Sequence, residues 1–166
     1  LVISDVPKAN AARAIASLKT TGVKKTVMLT GDRAEAAKRV ADSVGAAEFR
    51  ANLLPQDKVA AVEELLAEKN GSLVFVGDGI NDAPVLAGAD VGAAMGSGAD
   101  AAIEAADVVF LNNNLGAIPT ALTLARATRS VAWQNVIFAV AAKVAVMVLS
   151  ILGITSLWLA VVADTG

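Results

Sequence analysis

The residues best suited to chemistry lie in three short polar segments of this sequence. Asp78 and Asp82 share one glycine-rich loop, Gly-Asp-Gly-Ile-Asn-Asp, directly after an apolar run. Thr30 opens a Thr-Gly-Asp segment after another apolar run, and Lys58 lies between the two. Magnesium prefers oxygen ligands and takes one or two carboxylates with substrate phosphates, and lysine acts as a point charge on phosphoryl oxygens. These residue types therefore predict a site for phosphate and magnesium.

Each segment has a simpler structural interpretation when it is taken alone. The Asp-Gly loop could be a solvated turn whose acids are incidental. Lys58 could be a solvated lysine in the first turn of a helix, and Thr30 could cap a helix. The phosphate interpretation depends on the three segments meeting at one place in the fold.

The elements around these segments alternate between strands and helices. Pro55 suits the first turn of a helix, and short apolar runs bounded by glycine indicate buried strands. Such alternation favours a parallel sheet with right-handed crossovers, and ligands bind at the carboxyl edge of such sheets. The predicted strands are 1–4, 25–29, 47–50, 73–76, 91–95 and 107–110, and the predicted helices are 9–20, 33–44, 55–69, 83–87 and 99–105.

Composition narrows the chemistry further. The 166 residues carry a net charge of −2, which gives no case for nucleic-acid binding. The sequence contains no cysteine and no histidine, so carboxylates, lysine, threonine and backbone amides must do the work. The sequence begins without methionine and stops within a pattern at Asp-Thr-Gly. We therefore expect it to be part of a longer protein.

The polar segments resemble motifs of a known family. Thr-Gly-Asp at 30–32, Asp-Lys at 57–58 and Gly-Asp-Gly-Ile-Asn-Asp-Ala-Pro at 77–84 are similar to hinge and phosphorylation-domain motifs of P-type ATPases, members of the haloacid-dehalogenase superfamily. The resemblance covers essentially the whole chain. It implies an α/β fold, a haloacid-dehalogenase-like Rossmannoid parallel sheet with flanking helices, followed by a transmembrane helical hairpin.

Two further segments also resemble the family. Asp5 and Lys8 are similar to its Asp-x-x-Lys/Arg element, which lies near the nucleotide and the interdomain hinge. Met-Gly-Ser-Gly at 95–98 is similar to the motif after the next strand. The family hydrolyses ATP with Mg²⁺ to drive cations across a membrane.

The resemblance implies a role for each residue of the glycine-rich loop. Asp78 would be the Mg²⁺ ligand. Asp82 would either support the ligand Asp78 without contacting the ion or bind the ion itself. Asn81 would donate a hydrogen bond to the phosphoryl group.

The other two motifs would hold the phosphoryl oxygens. Thr30, the backbone amide of Gly31 and Lys58 are the implied donors. Asp32 would lie at the interface with a nucleotide-binding or actuator domain.

The segment that accepts phosphate in this family does not occur in the sequence. There is no Asp-Lys-Thr-Gly-Thr, no Thr-Gly-Glu loop and no nucleotide-binding domain. We therefore predict that residues 1–166 alone do not turn over ATP. Their main partner would be the N-terminal part of the same polypeptide, with its actuator and nucleotide-binding domains and earlier membrane helices.

The last third of the sequence predicts membrane helices. Residues 131–152 contain a single charge, Lys143, and about 20 apolar residues span a bilayer core. Arg126 and Arg129 precede them, which places residues 1–130 in the cytoplasm by the positive-inside rule. The predicted organisation is a cytoplasmic phosphorylation domain over 1–115, a connecting helix over 116–130, a transmembrane helix over 131–152 and the start of a last one over 154–166. The alternative is a buried helix pair in a soluble protein.

Two opposite charges fall at similar depth in the predicted hairpin. Lys143 and Asp164 each lie about 15 Å along a helix from a turn at Gly153, at 1.5 Å per residue. Charged residues at such depth mark function by default. Asp164 could bind a transported divalent cation with Lys143 as counter-charge, or the two could form a purely structural ion pair.

This charge pattern resembles the zinc/cadmium/lead class of heavy-metal P-type ATPases rather than the copper class. The resemblance implies the C-terminal portion of a Zn²⁺, Cd²⁺ or Pb²⁺ exporter that works through an aspartyl phosphate, in the lipid bilayer of a bacterial inner membrane. The alternatives are a soluble haloacid-dehalogenase phosphatase, which would need an Asp-x-Asp motif that is missing, and an inert or regulatory membrane-anchored domain.

Overall fold

The computed structural model describes residues 10–68, 70–96 and 98–153. The chain divides into two compact units, Leu1–Thr120 and Ala121–Gly166. The first carries all the described strands, and the second carries most of one long helix.

The first unit alternates helices and strands as the sequence predicts. Each predicted element from 10 to 110 is present, with ends shifted by at most two residues. The predicted strand 1–4 lies outside the described residues. The bounds are α1 Ala11–Thr20, β1 Val27–Leu29, α2 Ala34–Val44, β2 Glu48–Arg50, α3 Pro55–Glu68, β3 Val74–Gly77, α4 Ala83–Gly88, β4 Val91–Met95, α5 Asp100–Ala105 and β5 Val108–Phe110, with a 3₁₀ turn Ile80–Asp82 before α4.

The strands of the described chain form two parallel sheets. One sheet has the order β1–β2, with Val27 opposite Glu48, and the other has the order β3–β4–β5, with Val74 opposite Val91. The strand–helix alternation predicted a single sheet, but among the described strands β1 and β3 are each paired on one side only. The predicted fold class, parallel strands flanked by helices, is confirmed.

Small residues let the elements around β4 pack closely. Leu86 of α4, Ala94 of β4 and Ala102 of α5 have no solvent exposure. A Cβ built on Gly92 would collide with the backbone carbonyl of Leu86, so glycine at 92 lets α4 lie directly on the strand. This packing fixes the chain immediately after β3, where the glycine-rich loop begins.

The C-terminal part of the described chain is a single helix, α6, Ala117–Ile151. The predicted connecting helix and the predicted apolar span therefore lie on one unbroken helix of 35 residues. Pro119 falls in its first turn, where proline removes no helical hydrogen bond. Of the described helices, α6 is long and apolar enough to cross a membrane, and every residue from 123 to 145 is exposed. The predicted second helix of the hairpin lies outside the described residues.

Candidate active site

An ion pair joins the start of α3 to the loop that follows β3. The ammonium Nζ of Lys58 donates to Oδ1 of Asp82 at 2.8 Å. Asp82 is only 7% exposed, and the side chain of Lys58 is 21% exposed. The backbone amide of Lys58 donates to the carbonyl of Leu54 at 3.1 Å, which places the lysine in the first turn of the helix. The solvated interpretation of Lys58 is therefore wrong, because the side chain is directed onto a buried carboxylate.

The second carboxylate oxygen of Asp82 stabilises the glycine-rich loop to which Asp82 belongs. Oδ2 accepts a hydrogen bond from the backbone amide of Gly79 at 3.2 Å. A Cβ on Gly77 would come within 2.9 Å of the Asp82 Cβ, so the loop can fold back over the carboxylate only with glycine at 77. Both oxygens of Asp82 are thus engaged, and the carboxylate has one fixed orientation.

Asp78 is held through its backbone and is exposed. Its carbonyl accepts a hydrogen bond from the amide of Ala99, just before α5, at 3.0 Å. Asn81, in the 3₁₀ turn of the same loop, is also exposed. The two carboxylates of the loop therefore differ: Asp82 is buried and paired, whereas Asp78 is accessible from solvent.

The Thr-Gly-Asp segment forms a compact turn at the end of β1. The hydroxyl of Thr30 donates to Oδ2 of Asp32 at 2.8 Å, and the amide of Asp32 donates to the Thr30 hydroxyl oxygen at 3.1 Å. The N-cap residue of α2 is Arg33, and no side chain caps that helix. Thr30 is thus not a helix cap, and its hydroxyl lies at the strand end as the phosphate hypothesis requires.

The segment 51–54 links this turn to Lys58. The amide of Leu53 donates to the carbonyl of Thr30 at 3.1 Å, and the amide of Asn52 donates to the carbonyl of Asp32 at 2.8 Å. A Cβ on Gly31 would be 3.2 Å from the carbonyl oxygen of Leu53, which explains the close approach of the two segments. The same segment then leads into α3, so Thr30 and Lys58 are positioned by one stretch of chain.

Asp57 has a structural role that the sequence analysis did not assign. Its Oδ2 accepts a hydrogen bond from the amide of Leu54 at 2.9 Å. An acid at the third helical position that reaches back to the residue before the helix is half of a capping box. The Pro-Gln-Asp start of α3 carried the signal, and the contact fixes the turn that presents Lys58.

Strand β2, which holds Thr30 through the carbonyl of Arg50, is itself secured by charged side chains. The hydrogen bond from Lys25 lowers the pKa of the Glu48 carboxyl, against a smaller opposing effect of burial. The hydrogen bond from Arg50 to Glu64, at 2.7 Å, raises the pKa of the guanidinium. These ion pairs stabilise the strand next to the site.

A series of contacts thus connects Thr30, through segment 51–54 and Lys58, to Asp82 and its loop, but not all of the predicted site residues are described. Asp5, Lys8 and Asp164 lie outside the described residues. Lys143 lies on α6 in the second unit. Within the described ranges there is no group of three or more acidic side chains that could hold a metal ion on its own. A cation at Asp78 would need additional oxygen ligands from elsewhere.

Comparison with protein families supports the motifs. Residues 1–90 match the model of the haloacid dehalogenase-like hydrolases. The chain is 47% identical over its whole length to a cadmium, zinc and cobalt-transporting ATPase of Bacillus subtilis (strain 168) and 47% identical to a zinc/cadmium/lead-transporting P-type ATPase of Escherichia coli (strain K12). It spans 24% and 22% of the length of these two relatives.

Comparison with solved structures also finds similarity to metal-transporting P-type ATPases. A zinc-transporting PIB-type ATPase crystallised in its E2.Pi state superposes on 98% of the chain with a TM-score of 0.91 and 47% identity, and the match covers 26% of that protein. The catalytic domain of the CPx-ATPase CopB-B superposes on 72% of the chain with a TM-score of 0.65 and 36% identity, and the match covers 46% of that domain. The resemblance that the sequence motifs predicted is confirmed.

Proposed function

Because the chain belongs to the haloacid dehalogenase-like hydrolase family, we propose that it is the C-terminal portion of an ATP-driven zinc, cadmium or lead exporter that works through an aspartyl phosphate. The observation that carries the proposal is the contact of Lys58 with buried Asp82, beside exposed Asp78, at the strand ends. A lysine that neutralises a fixed carboxylate, on a loop that also carries an exposed carboxylate, suits a site for phosphate and a divalent cation.

The donor set fits magnesium. Asp78 offers an accessible carboxylate, and hard cations take one or two carboxylates together with phosphate oxygens and water. When bound, Mg²⁺ would neutralise charge on the phosphoryl group. Asp82 orders the loop that carries Asp78, since its two oxygens bind Lys58 and the Gly79 amide. In this proposal Asp78 is the direct ligand and Asp82 supports it.

Four groups would bind the phosphoryl oxygens. Lys58 supplies a positive charge, the Thr30 hydroxyl and the Gly31 amide supply hydrogen bonds at the end of β1, and Asn81 supplies an amide group. Donors fixed in advance stabilise transferring charge without reorganising during the reaction. Asp32 fixes the Thr30 hydroxyl at 2.8 Å in the present arrangement, and in the working enzyme it would face a neighbouring domain.

The phosphate acceptor would come from a segment that precedes this chain in the longer protein. Strands β1 and β3 are each paired on one side among the described strands, and neither is fully buried, whereas β4, paired on both sides, is buried over four of its five residues. An additional strand between β1 and β3 would complete one sheet and deliver a carboxylate to the same edge as Asp78. This incomplete burial supports an active site shared between two parts of one polypeptide.

The transport function depends on the second unit. Helix α6 would carry Lys143 into the bilayer, with Asp164 on a following helix as the ligand of the transported ion. Arg126 and Arg129 are exposed on α6 before the apolar stretch, which supports placing residues 1–130 on the cytoplasmic side and the apolar stretch after them in the membrane. We propose residues 1–115 as the phosphorylation-domain part, 116–130 as the connection, and 131–152 and 154–166 as membrane segments of a bacterial inner membrane.

Phosphorylation by labelled ATP tests the shared active site. We expect residues 1–166 with Mg²⁺ to form no acid-stable phosphoenzyme, and the full-length protein to form one. A labelled band on residues 1–166 alone would show that the acceptor lies within this chain and would overturn the proposal.

Metal-stimulated ATPase activity tests the transport assignment separately. Asp164→Ala in the full-length protein should abolish zinc stimulation, because the ion would lose its carboxylate ligand. Lys143→Ala should instead raise uncoupled ATP hydrolysis, since the counter-charge that occupies the empty site is lost. Zinc stimulation that survives Asp164→Ala would contradict the metal assignment while leaving the phosphorylation chemistry intact.

A further inference from the structure

Gly98, which follows the neighbouring strand β4, lies against the backbone of Asp78. Gly98 follows β4, and its amide donates to the carbonyl of Met95 at 2.7 Å. The next residue, Ala99, donates its amide to the carbonyl of Asp78 at 3.0 Å. β3 and β4 are paired in register, with Gly77 opposite Ala94, and Gly98 and Ala99 after β4 contact the loop after β3.

Gly98 is needed for space rather than for an unusual backbone conformation. A Cβ at this position would lie 2.7 Å from the carbonyl oxygen of Asp78, 2.8 Å from that of Met95 and 3.1 Å from the Asp78 Cα. All three are backbone atoms, so no change of rotamer could relieve the contact. The φ of Gly98 is outside the left-handed region, so an L-residue could adopt the same backbone angles there.

We propose that Gly98 is a positioning residue for the magnesium ligand Asp78. It lets the chain at 98–99 lie directly against the Asp78 backbone, so that the Ala99 amide can hold the carbonyl and thereby set the direction of the exposed carboxylate. Gly98 touches neither the cation nor the phosphate. This inference rests on the proposed function, because it assigns a support to the same cation site.

Two other glycines provide matched controls. A Cβ on Gly96 would also meet backbone, 2.7 Å from the Cα of Leu111, but on the side of β5 and away from Asp78. A Cβ on Gly88, at the end of α4, meets nothing within 4 Å. Gly96→Ala thus reports the general cost of crowding this region, and Gly88→Ala reports the cost of losing a glycine.

The experiment measures the Mg²⁺ dependence of phosphoenzyme formation in the full-length protein. Loss of a group that orients a metal ligand typically weakens metal affinity by 10–100-fold, so Gly98→Ala should raise the half-saturating Mg²⁺ concentration about 10-fold, with activity restored at high Mg²⁺. Gly96→Ala should lower the thermal unfolding temperature and leave the half-saturating concentration unchanged. Gly88→Ala should change neither.

A second variant reaches the same contact without a Cβ on Gly98. Ala99→Pro removes the amide that donates to Asp78, and the φ of Ala99, −65°, suits proline. It should also raise the Mg²⁺ requirement, which keeps the test valid if Gly98→Ala does not accumulate as folded protein.

The outcomes separate this inference from the proposed function. An unchanged Mg²⁺ requirement in both Gly98→Ala and Ala99→Pro, or an equal rise in Gly96→Ala, would overturn the positioning role alone. If the wild-type protein forms no Mg²⁺-dependent phosphoenzyme, the proposed function fails and the inference fails with it.

Discussion

The two units of the chain surround their side chains in different ways. In the first unit the charged side chains are fixed by direct contacts, as Lys58 is by Asp82 at 2.8 Å. In the second unit α6 exposes its apolar side chains along most of its length, and none of its most apolar stretch is buried. We therefore propose that position is specified by short-range contacts in the first unit and by hydropathy in the second.

This difference predicts which changes each unit tolerates. In the first unit the sensitive changes are as small as one methyl group or one hydrogen-bond donor, because the backbone segments touch. In the second unit a change of volume matters less than a change of charge, because the surrounding medium would be lipid. Four predictions test this comparison.

The largest effect should come from removing the lysine of the site. Lys58→Ala leaves Asp82 buried without its partner and removes the positive charge from the phosphate site. Loss of one preorganised electrostatic donor costs about 100-fold or more in rate, so phosphoenzyme formation in the full-length protein should fall by about that factor. Lys38→Ala, on the exposed face of α2, is the control and should stay near wild type. Phosphorylation of Lys58→Ala within a few-fold of wild type would show that the contact is structural only.

The second effect concerns a charge placed on α6. Val140 is 57% exposed and lies near the middle of the apolar stretch. Arginine at the centre of a membrane helix costs about 3 kcal/mol on insertion scales, so Val140→Arg should sharply reduce insertion of the chain into membranes, measured by alkali-resistant membrane association. Leu124→Arg, on the exposed part of α6 before that stretch, should insert normally. Equal insertion of the two variants would mean that the hydropathy of this stretch does not determine the membrane insertion of α6.

The third effect is a single methyl group in the first unit. Gly92→Ala forces a Cβ against the Leu86 carbonyl, and overpacking costs about 1–3 kcal/mol. The chain in detergent should therefore unfold at a lower temperature, as followed by circular dichroism, whereas Gly88→Ala should unfold like wild type. A wild-type unfolding temperature for Gly92→Ala would mean that α4 can move away from β4 at little cost.

Local sequence patterns predicted the elements of the first unit because each apolar run is bounded by glycine, proline or a charge. The residues alone predicted a strand over 73–76, which the structure places at Val74–Gly77, and Pro55 as the start of α3. The Asp-Lys motif and the glycine-rich motif also identified Lys58 and Asp82 as candidate site residues. Their mutual contact could not be predicted from local pattern, because the two residues are 24 positions apart. It depends on how the helix α3 packs beside the loop after β3.

The close contacts between backbone segments also could not be predicted from the local sequence. Gly92, Gly96 and Gly98 look alike in sequence, yet each faces a different backbone segment, Leu86, Leu111 and Asp78 respectively. Likewise, nothing in the sequences of β1 and β3 predicts that the two strands belong to separate sheets. The pairing of a strand depends on which strand lies beside it in the fold. Sequence therefore indicates which residues are special, and the packing decides what each of them supports.

The smallest effect should come from the ion pair of Glu48 at the edge of the first unit. Glu48 is hydrogen-bonded by Lys25, which lowers the pKa of its carboxyl in the folded chain. A lowered folded pKa stabilises the fold at pH values above the ordinary glutamate value, about 4.3, and the contribution is lost as the pH falls through the lowered folded value. Both side chains are more than one third exposed, so solvent screening limits the effect to at most about 1 kcal/mol.

The pH dependence of a single variant isolates this contribution. Lys25→Met should destabilise the chain slightly at pH 7, and its difference from wild type should shrink as the pH falls below the folded pKa of Glu48, because the carboxylate is then protonated in both proteins. In parallel, the carboxyl carbon of Glu48, followed by NMR, should titrate at a higher pH in Lys25→Met and at an unchanged pH in the control Lys24→Met. A pH-independent difference would mean that Lys25 acts through its aliphatic contacts, so that even this exposed edge of the first unit is held by packing rather than by charge.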